Sequence, residues 1–343
     1  MKQLFSLAIA LMLGQSPASA AEPDPLVATS VIDPSAVSPL RHVALYVRDG
    51  ALSGRFLVSA MAMREGRRRA LSAADAKRLG LPRGVVATHY SRLSLPGAAH
   101  VRVYASLATP TALRPTHAAA MAGGLAVGMP VLDQAARERL VATAGFGSVV
   151  GATSMTLPRG DGTTYTVGEI HYRAPEGVLV LGIDRGTMRP VGPIDPATGI
   201  GGPAYASIVV NDLAGTERFM RDVLRFEKRR EAVFASAGPK GGLGLPDGQR
   251  FAFQQWFAPG TSTGYIILMK MLDRVPVAVT GGFSNAGIVM VGFDADDLKA
   301  VRERARAIGA RVVAAPSSAR ESLILAMPDG FLVEIAPRRS DGG

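Results

Sequence analysis

Alternating and helical hydrophobic patterns follow one another in a fixed order along the second half of the chain. Residues 205–210 alternate like a strand, and residues 213–224 carry apolar side chains at helical spacing. Three strand candidates follow, at 232–235, 251–257 and 265–271. The same order then restarts, with a strand at 288–293, an amphipathic helix at 297–308 and strands at 312–314, 323–326 and 331–335. The pattern therefore predicts a βαβββ unit that occurs more than once.

The two halves of the chain also resemble each other at a shift of 163 to 165 residues. Residues 42–49 align with 205–212, residues 80–84 with 244–248, and residues 137–139 with 302–304, in the same order. Ordered matches at one shift indicate a duplication. Since each half holds two units, we predict an α+β fold of four βαβββ units.

The duplication sets the predicted domain organisation. Residues 38–185 form domain one and residues 204–338 form domain two, and a Gly/Pro-rich linker at 186–203 joins them. A signal peptide at 1–20, a leader at 21–37 and a tail at 339–343 complete the chain.

The amino terminus is typical of a secretory signal. Lys2 is followed by an apolar stretch at 4–13 and by small residues at 18–20. An apolar run of about ten residues is too short for a spanning helix, which needs about 20. The sequence has no cysteine, so no disulfides accompany export. We expect a periplasmic or secreted protein, released by signal cleavage and not inserted in a membrane.

The charge does not predict a nucleic-acid partner. The formal net charge is +10, but it comes mostly from scattered arginines, with the densest run at 64–69. A nucleic-acid interface would need a basic face with interleaved aromatic residues or a known module. The expected partner is a small molecule, and a homodimer remains open.

The unit order and two motifs together resemble the vicinal oxygen chelate superfamily, the glyoxalase and extradiol dioxygenase group. One motif is the strand-Asp-Leu-helix opening at 209–213, and the other is the closing Met-Pro-Asp-Gly-Phe-Leu-Val-Glu at 327–334. The resemblance covers nearly all of the mature chain. It implies two tandem glyoxalase-like domains, in each of which two units form a cup that holds a divalent metal and an oxygenated substrate.

The metal-ligand positions that the resemblance implies are only partly filled. In domain one, His42 stands at the first-strand position, but Ala126 and Leu181 stand where further ligands are expected. In domain two, Glu334 keeps the carboxylate position, whereas Tyr205 replaces the histidine. The cofactor is therefore unknown: a divalent metal is compatible with the fold, but the usual ligand set is incomplete.

Without a metal, domain one still carries usable chemistry. We predict His42 and His171 as acid or base and Tyr104 as a hydrogen-bond donor to developing negative charge. Arg102, Tyr46 and His100 are the predicted substrate-binding residues, because a guanidinium and neighbouring donors can hold a carboxylate or enolate oxygen. The other two histidines, His89 and His117, are interpreted as structural.

Three hypotheses about function follow. The favoured one is an exported enzyme of the lyase, isomerase or cyclase type that moves a proton on a small carbonyl-bearing or aromatic compound. The alternatives are a protein that binds or sequesters a small molecule, as resistance members of the superfamily do, and a metal-dependent lyase or dioxygenase. In each case domain two could act only as a scaffold.

Overall fold

The computed structural model describes residues 24, 26–28, 30–92, 94–95, 97–107, 121–158, 164–238, 243–273, 282–316 and 321–338. The predicted signal peptide, the tail at 339–343 and His117 lie outside these residues. Within them the chain forms sixteen strands and five α-helices, arranged as four βαβββ units. The predicted α+β architecture of four units is confirmed.

The first two units occupy the amino-terminal half. The first unit consists of β1 (His42–Val47), α1 (Gly50–Arg55) with a π-helical turn (Phe56–Ala60), β2 (Arg64–Ala70), an inserted α2 (Ala73–Leu79), β3 (Val86–Ser91) and β4 (His100–Ala105). The second consists of β5 (Gly123–Pro130), α3 (Gln134–Thr143), β6 (Gly147–Pro158), β7 (Thr164–Arg173), a 3-10 turn (Pro175–Gly177) and β8 (Leu179–Asp184).

The last two units repeat this order. The third unit consists of β9 (Tyr205–Val209), α4 (Leu213–Arg218) with a π-helical turn (Phe219–Val223), β10 (Glu227–Ala237), β11 (Asp247–Phe257) and β12 (Tyr265–Met271). The fourth consists of β13 (Gly287–Ala295), α5 (Leu298–Ala307), β14 (Arg311–Ala314), β15 (Leu323–Ala326) and β16 (Leu332–Pro337).

An aspartate starts the first helix of every unit. The Asp49, Asp133, Asp212 and Asp297 side chains each accept a hydrogen bond from the backbone N–H three residues later. A carboxylate at this position satisfies an N–H that has no partner within the helix. The strand-Asp-helix opening seen in the sequence is therefore a capping signal that sets where each helix begins.

The sheets join units that are not neighbours in the chain. One eight-stranded sheet contains the first and fourth units, through the antiparallel pair β1–β13, and the other contains the second and third units, through β5–β9. We call these sheets the first cup and the second cup. The expectation that each half of the chain forms its own cup is wrong, although 38–185 and 204–338 remain the predicted bounds of the duplicated halves.

Side-chain alternation separates two kinds of core. The helices and the convex faces of both sheets share one large apolar cluster, to which Val43, Val101, Phe56 and Phe219 belong. The concave face of each cup has its own cluster. The fold therefore presents two separate inner faces on which ligands could be held.

The Gly/Pro-rich segment at 186–203 is packed against the rest of the protein. Ile200 bridges to Val131, and the buried Arg92 donates a hydrogen bond to Thr198 Oγ1 at 2.9 Å. Ser94 Oγ donates to Asp195 at 2.8 Å. These contacts fix the connection between the halves.

Over the described ranges, no helix is both long and apolar enough to cross a membrane.

Candidate functional site

Polar side chains gather on the inner face of the first cup. His42 opens β1 and pairs with His100 on the parallel strand β4. Because side chains alternate along a strand, His100, Arg102 and Tyr104 point to the same face. Four of the predicted site residues therefore lie together, as the sequence indicated.

Glu334 on β16 lies at the centre of this group. Its Oε2 accepts a hydrogen bond from Arg102 Nη1 at 2.6 Å and lies 3.2 Å from His42 Nε2. Its Oε1 accepts from Ser322 Oγ at 2.7 Å. Arg102 Nη1 also donates to the Tyr104 hydroxyl at 3.3 Å. The sequence assigned His42 and Glu334 to different domains, but the pairing of the first and fourth units brings them into contact.

The environment of Arg102 keeps its charge. Burial disfavours the guanidinium cation, but the oxygens of Tyr104 and Glu334 outweigh this effect and raise the pKa of Arg102 above its ordinary value. The Glu334 side chain is only 5 % exposed. The centre of the first cup is thus a largely buried Arg–Glu pair with charge-assisted hydrogen bonds.

Three imidazole rings form a row beside this pair. The ring centroids of His42 and His100 are 5.3 Å apart, and those of His100 and His89 are 5.4 Å apart. Burial is the main cause that lowers the pKa of His42 to about 4, of His89 to about 4 and of His100 to about 2, and the Arg102 cation adds to each shift. All three rings are therefore neutral at pH 7.

A cavity of about 290 Å³ opens over the Arg–Glu pair. Its polar lining includes Arg67, Arg69, His89, Arg102, Tyr104 and Glu334. The two rim arginines on β2 are exposed, and within the described part of the chain neither has an ion-pair or hydrogen-bond partner. Two carboxylates, Asp75 and Glu321, also line the cavity, and Asp75 accepts a hydrogen bond from Ser72 Oγ at 2.9 Å.

His89, for which the sequence predicted a structural role, lines this cavity with its imidazole. His89 pairs with Arg102 across the β3–β4 ladder. An alternating Ala87-Thr88-His89 strand beside the His100-Val101-Arg102 strand was the available signal. Glu334 was likewise underestimated, because its contacts come from the other half of the chain.

Two predicted site residues lie elsewhere. Tyr46 belongs to the apolar cluster of the first cup and packs against the Phe283 ring, with centroids 5.6 Å apart, without lining the cavity. His171 is on β7 of the second cup, where its Nε2 lies 3.4 Å from Glu169 Oε1. The expectation that His171 joins His42 is therefore wrong, because their units belong to different sheets.

Apolar side chains fill the second cup. Ala126, Leu181 and Tyr205, which stand at the expected ligand positions, are all part of its buried cluster. Leu26 of the leader belongs to the same cluster and is 3 % exposed. Asp24 holds the leader there through an ion pair with Arg185 at 2.9 Å. The predicted leader at 21–37 is thus, where it is described, part of the packed fold.

The first cup does not offer a metal the donor set that the fold family implies. In the described part of the chain, no group of three or more His, Asp or Glu residues is arranged to hold a metal ion. His42 and Glu334 remain as donors, but the Arg102 guanidinium lines the cavity beside Glu334 and is hydrogen-bonded to its carboxylate. A permanent cation at this point opposes a second cation. These residues therefore do not fit a divalent metal.

Solved structures share this architecture. Glyoxalase I from Zea mays matches with a TM-score of 0.58 and 14% identity, over 87% of this chain and 92% of the maize chain. A Bacillus subtilis protein named as a dioxygenase matches with a TM-score of 0.56 and 13% identity, over 89% of this chain and 87% of that chain. No protein-family model and no curated protein sequence matches. These likenesses show the fold.

Proposed function

Because the chain has the tandem fold of the vicinal oxygen chelate superfamily, we propose that its first cup is an active site. The proposed reaction is proton transfer on a small, anionic, oxygen-bearing compound, of lyase, isomerase or cyclase type, with no metal required. The observation that carries the proposal is the presence of a neutral imidazole, His89, and a cationic guanidinium, Arg102, in one cavity.

The cavity is lined by three arginines and three carboxylates, so the placement of the arginines, and not an excess of positive charge, supports an anionic substrate. Arg67 and Arg69 stand unpaired at the rim, within the part of the chain that is described. Deeper in the cavity, the Glu334 charge is already balanced by Arg102. A carboxylate or enolate oxygen would meet guanidinium groups on entry, which suits the fork-like recognition that arginine provides.

In the proposed step, Arg102 and the Tyr104 hydroxyl donate hydrogen bonds to a carbonyl oxygen of the substrate. His89 removes a proton from the adjacent carbon, so that the C–H bond breaks, the proton moves to the imidazole and the electron pair becomes an enolate. The donors stabilise the negative charge on its oxygen. The imidazolium then returns the proton to a carbon or a leaving group.

Substrate binding also improves His89 as a base. Besides burial, the cations of Arg102 and Arg69 lower its pKa to about 4, which makes the free imidazole a weak base. A bound anion offsets these positive charges and raises the pKa of His89. Proton abstraction is therefore favoured when an anionic substrate is present.

The test measures proton exchange without requiring the full reaction to be known. Small 2-oxo and 3-oxo carboxylates are incubated with the protein in D2O, and loss of the C–H signal next to the carbonyl is followed by NMR. We expect exchange with the wild type and a loss of about 100-fold or more in His89→Asn, the typical range for a general base. The matched control is His171→Asn in the second cup, which should exchange at the wild-type rate.

A different result would favour the binding hypothesis. If compounds bind and are recovered with no exchange in the wild type, the protein sequesters an anion and the enzyme proposal fails. Equal exchange by His89→Asn and the wild type would remove His89 from the mechanism.

A further inference from the structure

Four inward positions at the centre of each cup are related by an approximate two-fold axis between the paired units. In the first cup, His42 pairs with Gly292 and Ala44 pairs with Met290. A two-fold axis between these antiparallel strands exchanges the two pairs, so His42 and Met290 occupy equivalent positions. Since Ala44 pairs with Arg102 and Gly292 with Glu334, Arg102 and Glu334 are equivalent in the same way. Arg102 is therefore the symmetry counterpart of the carboxylate it binds.

The second cup has the same arrangement with different residues. Ala126 pairs with Ser207 and Gly128 with Tyr205, so Ala126 and Tyr205 are the counterparts of His42 and Met290. Leu181 and Ile267 are the counterparts of Arg102 and Glu334. None of these four side chains carries a charge. Charge at the central positions is thus found in the first cup and is divided between one cation and one anion.

The contacts of Glu334 explain why a resident cation suits the first cup. A largely buried carboxylate without a counter-charge is strongly unfavourable, and an arginine can supply that charge through directed hydrogen bonds. Arg102 Nη1 approaches Oε2 to 2.6 Å, and Ser322 holds Oε1 at 2.7 Å. Both carboxylate oxygens are therefore already bonded by groups of the protein itself.

The same arginine excludes a metal electrostatically. Like charges a few ångströms apart repel strongly in a largely buried site, and the repulsion doubles when one of the ions is divalent. The guanidinium is held at this position by its hydrogen bonds to Glu334 at 2.6 Å and to the Tyr104 hydroxyl at 3.3 Å. The Arg102 guanidinium and a divalent metal ion would therefore compete for the same position.

We propose that Arg102 takes the place of a metal in the first cup and that this single side chain is what prevents the cup from binding one. His42 and Glu334 are retained as two potential donors, and replacing Arg102 by a third donor would complete a binding set. The proposal concerns metal binding alone and does not depend on the proposed reaction.

The test adds Co²⁺ alone to the full-length chain and measures bound metal by elemental analysis after desalting, together with the visible absorption of the ion. In R102H, the introduced imidazole joins His42 and Glu334 as two histidines and a carboxylate, a set that holds divalent transition metals in other proteins. We expect R102H to bind one equivalent of Co²⁺ and the wild type to bind none. R102Q is the matched control, since it removes the cation without adding a strong donor, and it should bind weakly.

Removal of His42 in the R102H background should abolish stoichiometric binding, which would place the ion in this cup. R102E is a second variant for the case in which R102H loses the wild-type circular dichroism spectrum. The proposal is overturned if the wild type binds one equivalent of Co²⁺ that is lost in His42→Ala. The proposal also fails if neither R102H nor R102E binds Co²⁺, whether or not these variants keep the wild-type fold. Neither result depends on whether proton exchange is observed.

Discussion

The two cups of this protein share a backbone plan but differ in what their inner faces hold. In both, the first strand of one unit begins with a ring side chain that lies over a glycine of the opposite strand, His42 over Gly292 and Tyr205 over Gly128. The first cup then carries charged and imidazole groups around a cavity of about 290 Å³, whereas apolar side chains and Leu26 of the leader fill the second. The apolar packing on the convex faces stabilises the fold, so side chains on the inner faces can differ between the two cups without changing it.

The rows of rings show the difference most directly. His42 stacks with His100 in the first cup, and Tyr205 stacks with Tyr265 at the corresponding positions of the second, with centroids 5.0 Å apart. Stacked tyrosines add apolar contact area. Imidazoles can also gain a proton within the accessible pH range, so the row of His42, His100 and His89 makes the first cup sensitive to acid.

Acid should destabilise the protein through the first cup, and this is the largest effect that we expect. The pKa of His42 falls from 6.5 to about 4 on folding, with burial as the main cause. Between these two pKa values, His42 binds a proton in the unfolded chain but stays neutral in the folded chain. Its contribution to the free energy of unfolding is therefore fully present above pH 6.5 and is lost as the pH falls towards 4. A shift of this size corresponds to about 3 kcal/mol.

The measurement is the free energy of unfolding in urea at several pH values between 7 and 4. His42→Gln, which cannot gain a proton, should show a smaller loss of stability with acid than the wild type. Tyr205→Phe is the matched control in the second cup and should keep the wild-type pH dependence. An identical pH dependence for His42→Gln and the wild type would contradict the assignment.

Gly→Ala changes beneath the His42 and Tyr205 rings should show which of the two cups is more rigid. A Cβ at position 128 would overlap the Tyr205 ring, and one at position 292 would overlap the His42 ring. We expect each Gly→Ala change to lower the free energy of unfolding by about 2 to 3 kcal/mol, the upper part of the usual range for overpacking. Gly128→Ala should have the larger effect, because the filled second cup gives the ring less room to move.

Urea unfolding of both variants checks this ranking. Gly147→Ala is the control, since a Cβ there has no neighbour within 4 Å. The double variant with Gly292→Ala and His42→Ala should recover part of the stability lost in Gly292→Ala. A larger loss in Gly292→Ala than in Gly128→Ala would reverse the proposed order of rigidity.

The smallest expected effect concerns the leader. Leu26→Ala removes a buried side chain from the second cup and should lower the free energy of unfolding by about 2 kcal/mol, at the low end for buried leucines because a leader segment can readjust. Val31→Ala is the control, because Val31 is 88% exposed. Circular dichroism during urea unfolding provides the measurement, and equal stability of the two variants would show that Leu26 is not a structural part of the cup.

The elements could be predicted from the sequence because their signals are local. The strand at 205–210 and the helix starting after Asp297 were found within a residue or two, since alternation and capping act over a few positions. The inserted helix α2 was missed, although its signals were present: Ser72 caps its start, and Gly80 ends it at a φ of 69°. This short helix lies inside a unit in which no repeat predicts it.

The site could be predicted only in part. Alternation on β4 placed Arg102 and Tyr104 on one face with His100, and the structure agrees. The contact of His42 with Glu334 could not be predicted, because it depends on pairing between strands that lie at opposite ends of the chain. The same pairing separates His171 from His42, although they share one half of the sequence.

The sequence by itself determined the number of units, the order of their elements and the face on which each side chain lies, because hydrophobic periodicity and helix capping are properties of neighbouring residues. Only the tertiary structure decided which units share a cup, since all four units offer similar first strands to one another. That choice joined Arg102 to Glu334 in a hollow cup and left Tyr205 in a filled one. Partner choice between repeats is a property of the whole packed chain, and the chemistry of the site follows from it.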